Sequence, residues 1–98
     1  MMIFYDFEVF EYDWLAVFAD IYNKKEYVII NNPDELKALY EANTTNIWVG
    51  FNNRHYDQYI MKGILLGMNP KKTNDYIIVE GREGCQYSKA FYKIPMLN

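Results

Sequence analysis

The first thirty residues alternate between apolar and polar positions, and this pattern predicts three β-strands joined by tight turns. The strands are expected over residues 2–10, 14–21 and 26–30, because each run is rich in β-branched and aromatic side chains. Polar turns over residues 11–13 and 23–25 separate the three runs. Short turns between consecutive strands favour an antiparallel meander.

The next thirty-five residues follow a helical and then a mixed pattern. Asn31, Asn32 and Pro33 are typical of a helix start, and the helix should continue to about Ala42 with Leu36, Leu39 and Tyr40 on one face. The apolar run 47–49 before Gly50 indicates a buried parallel strand. A second helix is predicted from Asn53 or Arg54 to about Gly67, and the run 76–79 is consistent with a further strand. The periodicity therefore predicts an α/β fold.

Composition limits the range of functions. The chain has 98 residues, enough for one domain with a modest core, and its 51% hydrophobic content excludes disorder. No run approaches the roughly 20 apolar residues of a membrane span, and the single Cys85 fits a reducing cytoplasm. A net charge of −3 argues against a broad basic DNA-binding face. It argues less against a nuclease, whose metal-binding carboxylates count as negative.

Asp6 and Glu8 are the first candidates for chemistry. Alternate residues of a strand point to the same side, so these two carboxylates should project together with Phe4 and Phe10. Oxygen ligands of this kind suit hard divalent cations, and two such cations can promote phosphodiester hydrolysis. Two acids at alternate strand positions are also typical of a solvated face. The aromatic neighbours bring the metal-site interpretation level with the solvated face, because acids among aromatics must be paired, hydrated or metal-bound.

A second motif extends this hypothesis. Gly50-Phe51-Asn52 is followed by three spacers and then by Tyr56-Asp57, about fifty residues after Asp6-Phe7-Glu8. In this order the two blocks resemble the first two motifs of the DEDD 3′–5′ exonucleases, and particularly the proofreading domain of phage-type family B DNA polymerases. The resemblance implies a ribonuclease H-like fold, in which three strands precede a helix, a parallel strand and a second helix. It covers residues 1–60 well and the remainder only loosely.

The resemblance also implies roles for individual residues. Asp6, Glu8 and Asp57 would be the catalytic carboxylates and would bind two Mg²⁺ or Mn²⁺ ions. Asn52 and Tyr56 would contact a single-stranded DNA 3′ end. Val9 stands in the same contact region, where many family members have Thr.

The last motif of the family, Tyr-x-x-x-Asp or His-x-x-x-x-Asp, does not occur after Asp57. Tyr76 and Glu80 have the tyrosine-motif spacing, with Glu in place of Asp, but they fall early and within an expected strand. Residues 1–98 are therefore expected to be one incomplete exonuclease domain of a longer polymerase chain, weak or inactive alone. His55 lies in a spacer and Cys85 in a polar stretch, so neither is expected to be catalytic.

The resemblance implies partners and a location. A single-stranded DNA 3′ end and the remainder of a polymerase are the expected partners, in the cytoplasm of a bacterium or a phage-infected host, without a membrane. Self-association is also expected, because an incomplete domain leaves apolar surface uncovered. The alternative is a non-catalytic ribonuclease H-like module that binds a partner or a DNA end.

Overall fold

A four-stranded mixed sheet forms the centre of the protein in a computed structural model that describes residues 2–94. Met1 and residues 95–98, which belong to the predicted domain, lie outside the described residues. The strands are β1 (Met2–Val9), β2 (Trp14–Asp20), β3 (Lys25–Ile30) and β4 (Ile47–Gly50). Their order across the sheet is β3-β2-β1-β4. β1 pairs antiparallel with β2 and parallel with β4, while β2 pairs antiparallel with β3. The predicted meander and the parallel fourth strand are confirmed.

The helical segments follow the predicted order as far as residue 67. Helix α1 (Pro33–Glu41) begins at Asn32, whose side chain accepts a hydrogen bond from the Glu35 amide, and Pro33 occupies its first turn. The second predicted helix consists of a π-helical turn (Asn53–Asp57) that continues into α2 (Gln58–Leu65). Gly67 follows with a φ of 79°, the left-handed conformation expected of glycine after a helix.

The interpretation of residues 76–79 as a strand is wrong. Helix α3 (Pro70–Asn74) is capped by Asn69 and continues into a second π-helical segment (Asp75–Val79). A short apolar run is compatible with either a strand or a helix, and here the preceding capped helix extends through it. Two short 3₁₀ turns, Gly84–Gln86 and Lys89–Lys93, complete the described chain.

The two faces of the sheet have different environments. The inner face packs against Leu36 of α1 and Ile60, Met61 and Ile64 of α2. Its buried residues are Ile3, Tyr5, Phe7, Trp14, Ala16, Phe18, Ile29 and Trp48. The predicted inward set of β1 is thereby confirmed for Ile3, Tyr5 and Phe7, and the fourth member, Val9, is partly buried against the same core.

The outer face carries the alternate positions of the same strands. By strand register, these are Met2, Phe4, Asp6, Glu8, Leu15, Val17, Ala19, Glu26, Val28, Ile30, Ile47 and Val49. All are apolar except Asp6, Glu8 and Glu26. Large side chains here remain open to solvent, including Val28 at 57% and Ile30 at 60% exposure. Within residues 2–94, the sheet is therefore covered on one side only.

Candidate functional site

The candidate site lies where β1 passes the turn that follows β4. Asp6 and Glu8 are exposed on the outer face of β1, as their alternation predicts. Asp57 is the one acid of the second sequence block and is the last residue of the first π-helical turn. Because β4 runs parallel beside β1, the turn after Gly50 reaches the middle of β1, with Tyr5 paired to Gly50. The fold thus brings the two sequence blocks together.

Asp57 is a buried carboxyl group, with 1% of its surface exposed. One oxygen, Oδ1, accepts a hydrogen bond of 3.1 Å from the Phe7 amide on β1. The other, Oδ2, accepts one of 2.7 Å from the Asn52 amide. Asp57 therefore fastens β1 to the turn after β4, and its position is fixed from both sides.

Asp6 directly precedes Phe7, whose amide binds Asp57, and it lies close enough to Asp57 to act on the pKa of that carboxyl group. Burial is the main reason that the pKa of Asp57 is raised above its usual value, and the nearby Asp6 carboxylate raises it further. The two backbone amides lower this pKa without compensating for burial. Two carboxyl groups this close favour a proton or a cation between them.

No neighbouring cation balances these acids in the described part of the chain. The ion pairs between residues 2 and 94 join His55 to Glu83, Lys71 to Asp75 and Arg82 to Glu80, and none includes Asp6, Glu8 or Asp57. An ionised carboxylate has about four acceptor positions, so each oxygen of Asp57 retains acceptor capacity beyond its one amide. Asp6 and Asp57 consequently offer free oxygen ligands to a hard cation.

The pair fits one divalent cation better than a complete two-ion cage. Mg²⁺ is commonly bound through one or two carboxylates, with water and substrate phosphates supplying the other ligands. Among residues 2–94, no group of three or more His, Cys, Asp or Glu side chains is placed to bind a metal ion. Glu8 shares the outer face with Asp6 but does not complete such a group. Its role as a third ligand stays a prediction.

The predicted DNA-contacting residues lie around Asp57. Asn52 is exposed, and its amide is one of the two donors to Asp57. Tyr56 is half-buried, and its hydroxyl group donates to Oδ1 of Asn74 over 2.5 Å. Burial, with contributions from Asp57 and Asp6, raises the pKa of Tyr56 to about 12. Val9 packs partly against the core on the side opposite Asp6. The contacts of all three with a DNA end stay predictions.

Other residues that the sequence offered make ion-pair contacts that do not include the acid pair. His55 is exposed, with Nδ1 at 3.4 Å from a carboxylate oxygen of Glu83. Glu80 of the tyrosine-motif spacing is exposed and lies 3.8 Å from Arg82. Tyr76 lies in a helical segment that ends just before Glu80, and not in the expected strand. Within residues 2–94, Glu80 does not form a group of three metal ligands with Asp6 and Asp57.

Two buried polar residues next to the acids were not predicted from the sequence to belong to the site. The hydroxyl group of Tyr5 donates to Oδ1 of Asn53, and both side chains are almost fully buried. Tyr5 follows the inward pattern of β1 and looks like an ordinary core residue in the sequence. The one available signal was a doublet of asparagines, Asn52-Asn53, at the start of a turn.

No protein-family model, curated protein or solved structure matches this chain. Separately, no helix within residues 2–94 is long and apolar enough to cross a membrane.

Proposed function

We propose that this chain is a ribonuclease H-like 3′–5′ exonuclease domain that acts on single-stranded DNA ends with Mg²⁺ or Mn²⁺. The observation that carries the proposal is the hydrogen bond from the Phe7 amide, directly after Asp6, to Asp57, which brings the two acids together across about fifty residues of sequence. The β3-β2-β1-β4 strand order supports it, because the acid on β1 and the acid after β4 then meet at one point. The proposed domain belongs to a DNA polymerase that proofreads its product.

Each residue of the pair has a distinct part in the proposed activity. Asp57, held by the Phe7 and Asn52 amides, provides a fixed ligand. Asp6 provides a second ligand from the open side of the sheet, and Glu8 is the proposed third. When bound there, a divalent cation supplies charge stabilisation for a phosphodiester and lowers the pKa of a bound water.

Asn52 and Tyr56 are proposed to hold the 3′ end of the DNA. Asn52 is exposed directly beside the acid pair, and Tyr56 presents a half-buried ring from the same turn. Aromatic rings bind single strands by stacking on bases, with little dependence on sequence. Their position on the turn that carries Asp57 would bring a terminal phosphodiester towards the two carboxylates.

Metal binding is tested first, because it needs no substrate. Mn²⁺ titrated into isotope-labelled protein should broaden the NMR signals of Asp6 and Asp57 before those of other carboxylates. Asp6→Asn should abolish this early broadening, while Glu26→Gln, the matched exposed acid elsewhere on the outer face, should leave it intact. Broadening that begins at Glu26 or is unaffected by Asp6→Asn would contradict the proposed site.

Nuclease activity is tested with single-stranded DNA labelled at the 3′ end and with circular single-stranded DNA. We expect slow Mn²⁺-dependent shortening of the linear strand at most, lost in Asp57→Ala, and no cutting of the circle. Cleavage of the circle would identify an endonuclease. Rapid shortening would show that the missing tyrosine or histidine motif is not required for activity.

A second candidate function is a non-catalytic ribonuclease H-like module that binds a partner. The open outer face favours it, including a cleft of about 490 Å³ whose lining is mostly apolar (Phe4, Val17, Val49 and Phe51 among others) and also includes Asp6. Contiguous apolar surface of this kind is typical of an interaction site. It also supports the expected self-association of the chain.

Sedimentation velocity over a range of protein concentrations tests the outer face. Val28→Lys should reduce self-association, whereas Val79→Lys should not, because Val79 is a similarly exposed apolar residue outside the sheet. Association through the outer face without early Mn²⁺ binding at Asp6 would favour the non-catalytic module over the exonuclease.

A further inference from the structure

A buried polar pair belongs to the same strand and the same turn as the acid pair. Tyr5 and Asn53 are 3% and 5% exposed, and the Tyr5 hydroxyl group donates to Oδ1 of Asn53. The ring of Tyr5 packs among aromatic side chains, with centroids 6.3 Å from Phe18 and 5.6 Å from Trp48. A phenylalanine would fill the same volume in this environment. The hydroxyl group therefore adds a polar interaction that packing does not require.

The pair is also incompletely satisfied within the protein. Nδ2 of Asn53 is buried and has no hydrogen-bond partner in the described structure. A buried polar atom without a partner costs free energy, so this arrangement is a poor way to gain stability alone. Polar groups that break the local rules of core packing are found preferentially at functional sites.

Asn53 and Asp57 belong to the same wide turn. The carbonyl oxygen of Asn52 accepts from the amides of His55, Tyr56 and Asp57, which opens the turn to π-helical width. A Cβ atom on Gly50 would lie 2.8 Å from Cβ of Asn53 and 3.0 Å from Cβ of Asp57. The side chains of Asn53 and Asp57 thus pack closely against the end of β4, where a residue larger than Gly50 would clash with them.

The bond to Tyr5 fixes this turn against β1. Tyr5 precedes Asp6 on the same strand, and Asn53 precedes Asp57 on the same turn. One hydrogen bond therefore joins the strand that carries Asp6 to the turn that carries Asp57. We propose that Tyr5 and Asn53 are positioning residues that set the separation of Asp6 and Asp57, and with it their affinity for a divalent cation. This inference rests on the proposed metal site but goes beyond it, because neither residue is a ligand.

The test measures Mn²⁺ affinity from the fraction of free Mn²⁺ seen by electron paramagnetic resonance. Removal of a residue that orients a metal ligand typically weakens metal binding by about 10–100-fold. We expect Tyr5→Phe to weaken binding by about 10-fold, and Asn53→Ala to do the same from the other side of the bond. The amide signals of Phe7 and Asn52, the donors to Asp57, should shift in both variants.

Ile64→Val provides the control for a general loss of stability. Ile64 is a buried core residue on α2 and makes no polar contact with the site, so this variant should unfold more easily and bind Mn²⁺ as the wild type does. Equal affinities for the wild type and both polar variants would overturn the positioning role while leaving the metal site intact. Failure of the wild-type protein to bind Mn²⁺ more tightly than Asp6→Asn would overturn both proposals.

Discussion

The two faces of one sheet follow the same alternation of residues but have opposite environments. On the inner face, Phe18 and Trp48 are 1% exposed and pack at a centroid distance of 6.2 Å. On the outer face, Val17 and Val28, paired neighbours on β2 and β3, are 37% and 57% exposed. The inner face therefore stabilises the fold, and the outer face is available for binding.

The acid pair joins these two environments. Asp57 reaches the site from the buried side, while Asp6 belongs to the open side. One carboxyl group is held rigidly by backbone amides, and its neighbour can meet solvent, a cation or a substrate. The pair is therefore open to solvent through Asp6.

The largest expected difference between the faces concerns stability. Phe18→Ala should lower the free energy of unfolding by about 3–5 kcal/mol, because it removes a ring from a filled aromatic cluster. Val28→Ala should change it by less than about 0.5 kcal/mol, because the side chain is already exposed. Denaturant titrations of both variants measure the difference. Similar losses would mean that the outer face is covered in solution.

The acid pair should show the same asymmetry on a smaller scale. Asp57→Ala leaves the Phe7 and Asn52 amides without their acceptor, which should cost about 1–3 kcal/mol. Asp6→Ala removes an exposed carboxylate and should change stability by less than about 0.5 kcal/mol. Urea unfolding at neutral pH compares the two variants. A larger loss for Asp6→Ala would contradict the assignment of Asp57 as the anchor.

A third difference depends on pH. Because the pKa of Asp57 is raised in the folded protein, the folded state binds this proton more tightly than the unfolded chain does. The stability contributed by that proton is present below the unfolded carboxyl pKa and is lost as pH rises through the folded pKa. Asp57→Asn should therefore be more destabilising, relative to wild type, at about pH 3 than at about pH 7.

Parallel unfolding curves for the wild type and Asp57→Asn across that range isolate this residue. The comparison is needed because Asp20 and Asp75, whose pKa values are lowered by hydrogen bonds from Asn23 and Lys71 respectively, act in the opposite direction. A destabilisation by Asp57→Asn that grows with rising pH would reverse the inferred direction of the shift.

The smallest effect is expected at His55. Its ring is exposed, and its contact with Glu83 is a surface pair of the kind that contributes about 0–1 kcal/mol. His55→Ala should leave Mn²⁺ affinity unchanged and should not alter any nuclease activity by more than a few-fold. A loss as large as that of Asp57→Ala would give His55 a chemical role.

Much of the sheet could be predicted because its pattern is local. The alternation along β1 assigns Ile3 and Phe7 to the core and Asp6 to the other face without any knowledge of the fold. The start of α1 at Asn32-Pro33 follows in the same way from capping chemistry. For the site, the resemblance of the two sequence blocks to the exonuclease motifs, together with the predicted parallel β4, suggested that Asp6 and Asp57 would meet.

The remaining features depend on tertiary contacts that no short window contains. The hydrogen bond between Tyr5 and Asn53 forms because the turn after β4 packs against β1. The hydroxyl group of Tyr56 likewise binds Asn74, which is eighteen residues away in the sequence. The strand prediction for residues 76–79 is wrong because these residues continue the capped helix α3 instead of pairing with a strand. Their helical state is a consequence of their neighbours, not of their own composition.

The hydrogen bond from the Phe7 amide to Asp57 spans fifty residues, and this has a kinetic consequence. Contacts between distant parts of a chain form slowly, since a long loop must close before they contribute. The hairpin of β1 and β2 can form locally, but the two acids meet only after β4 has docked beside β1. In a refolding experiment, Mn²⁺ binding should therefore appear with the slowest phase of sheet assembly, after the first strands have formed.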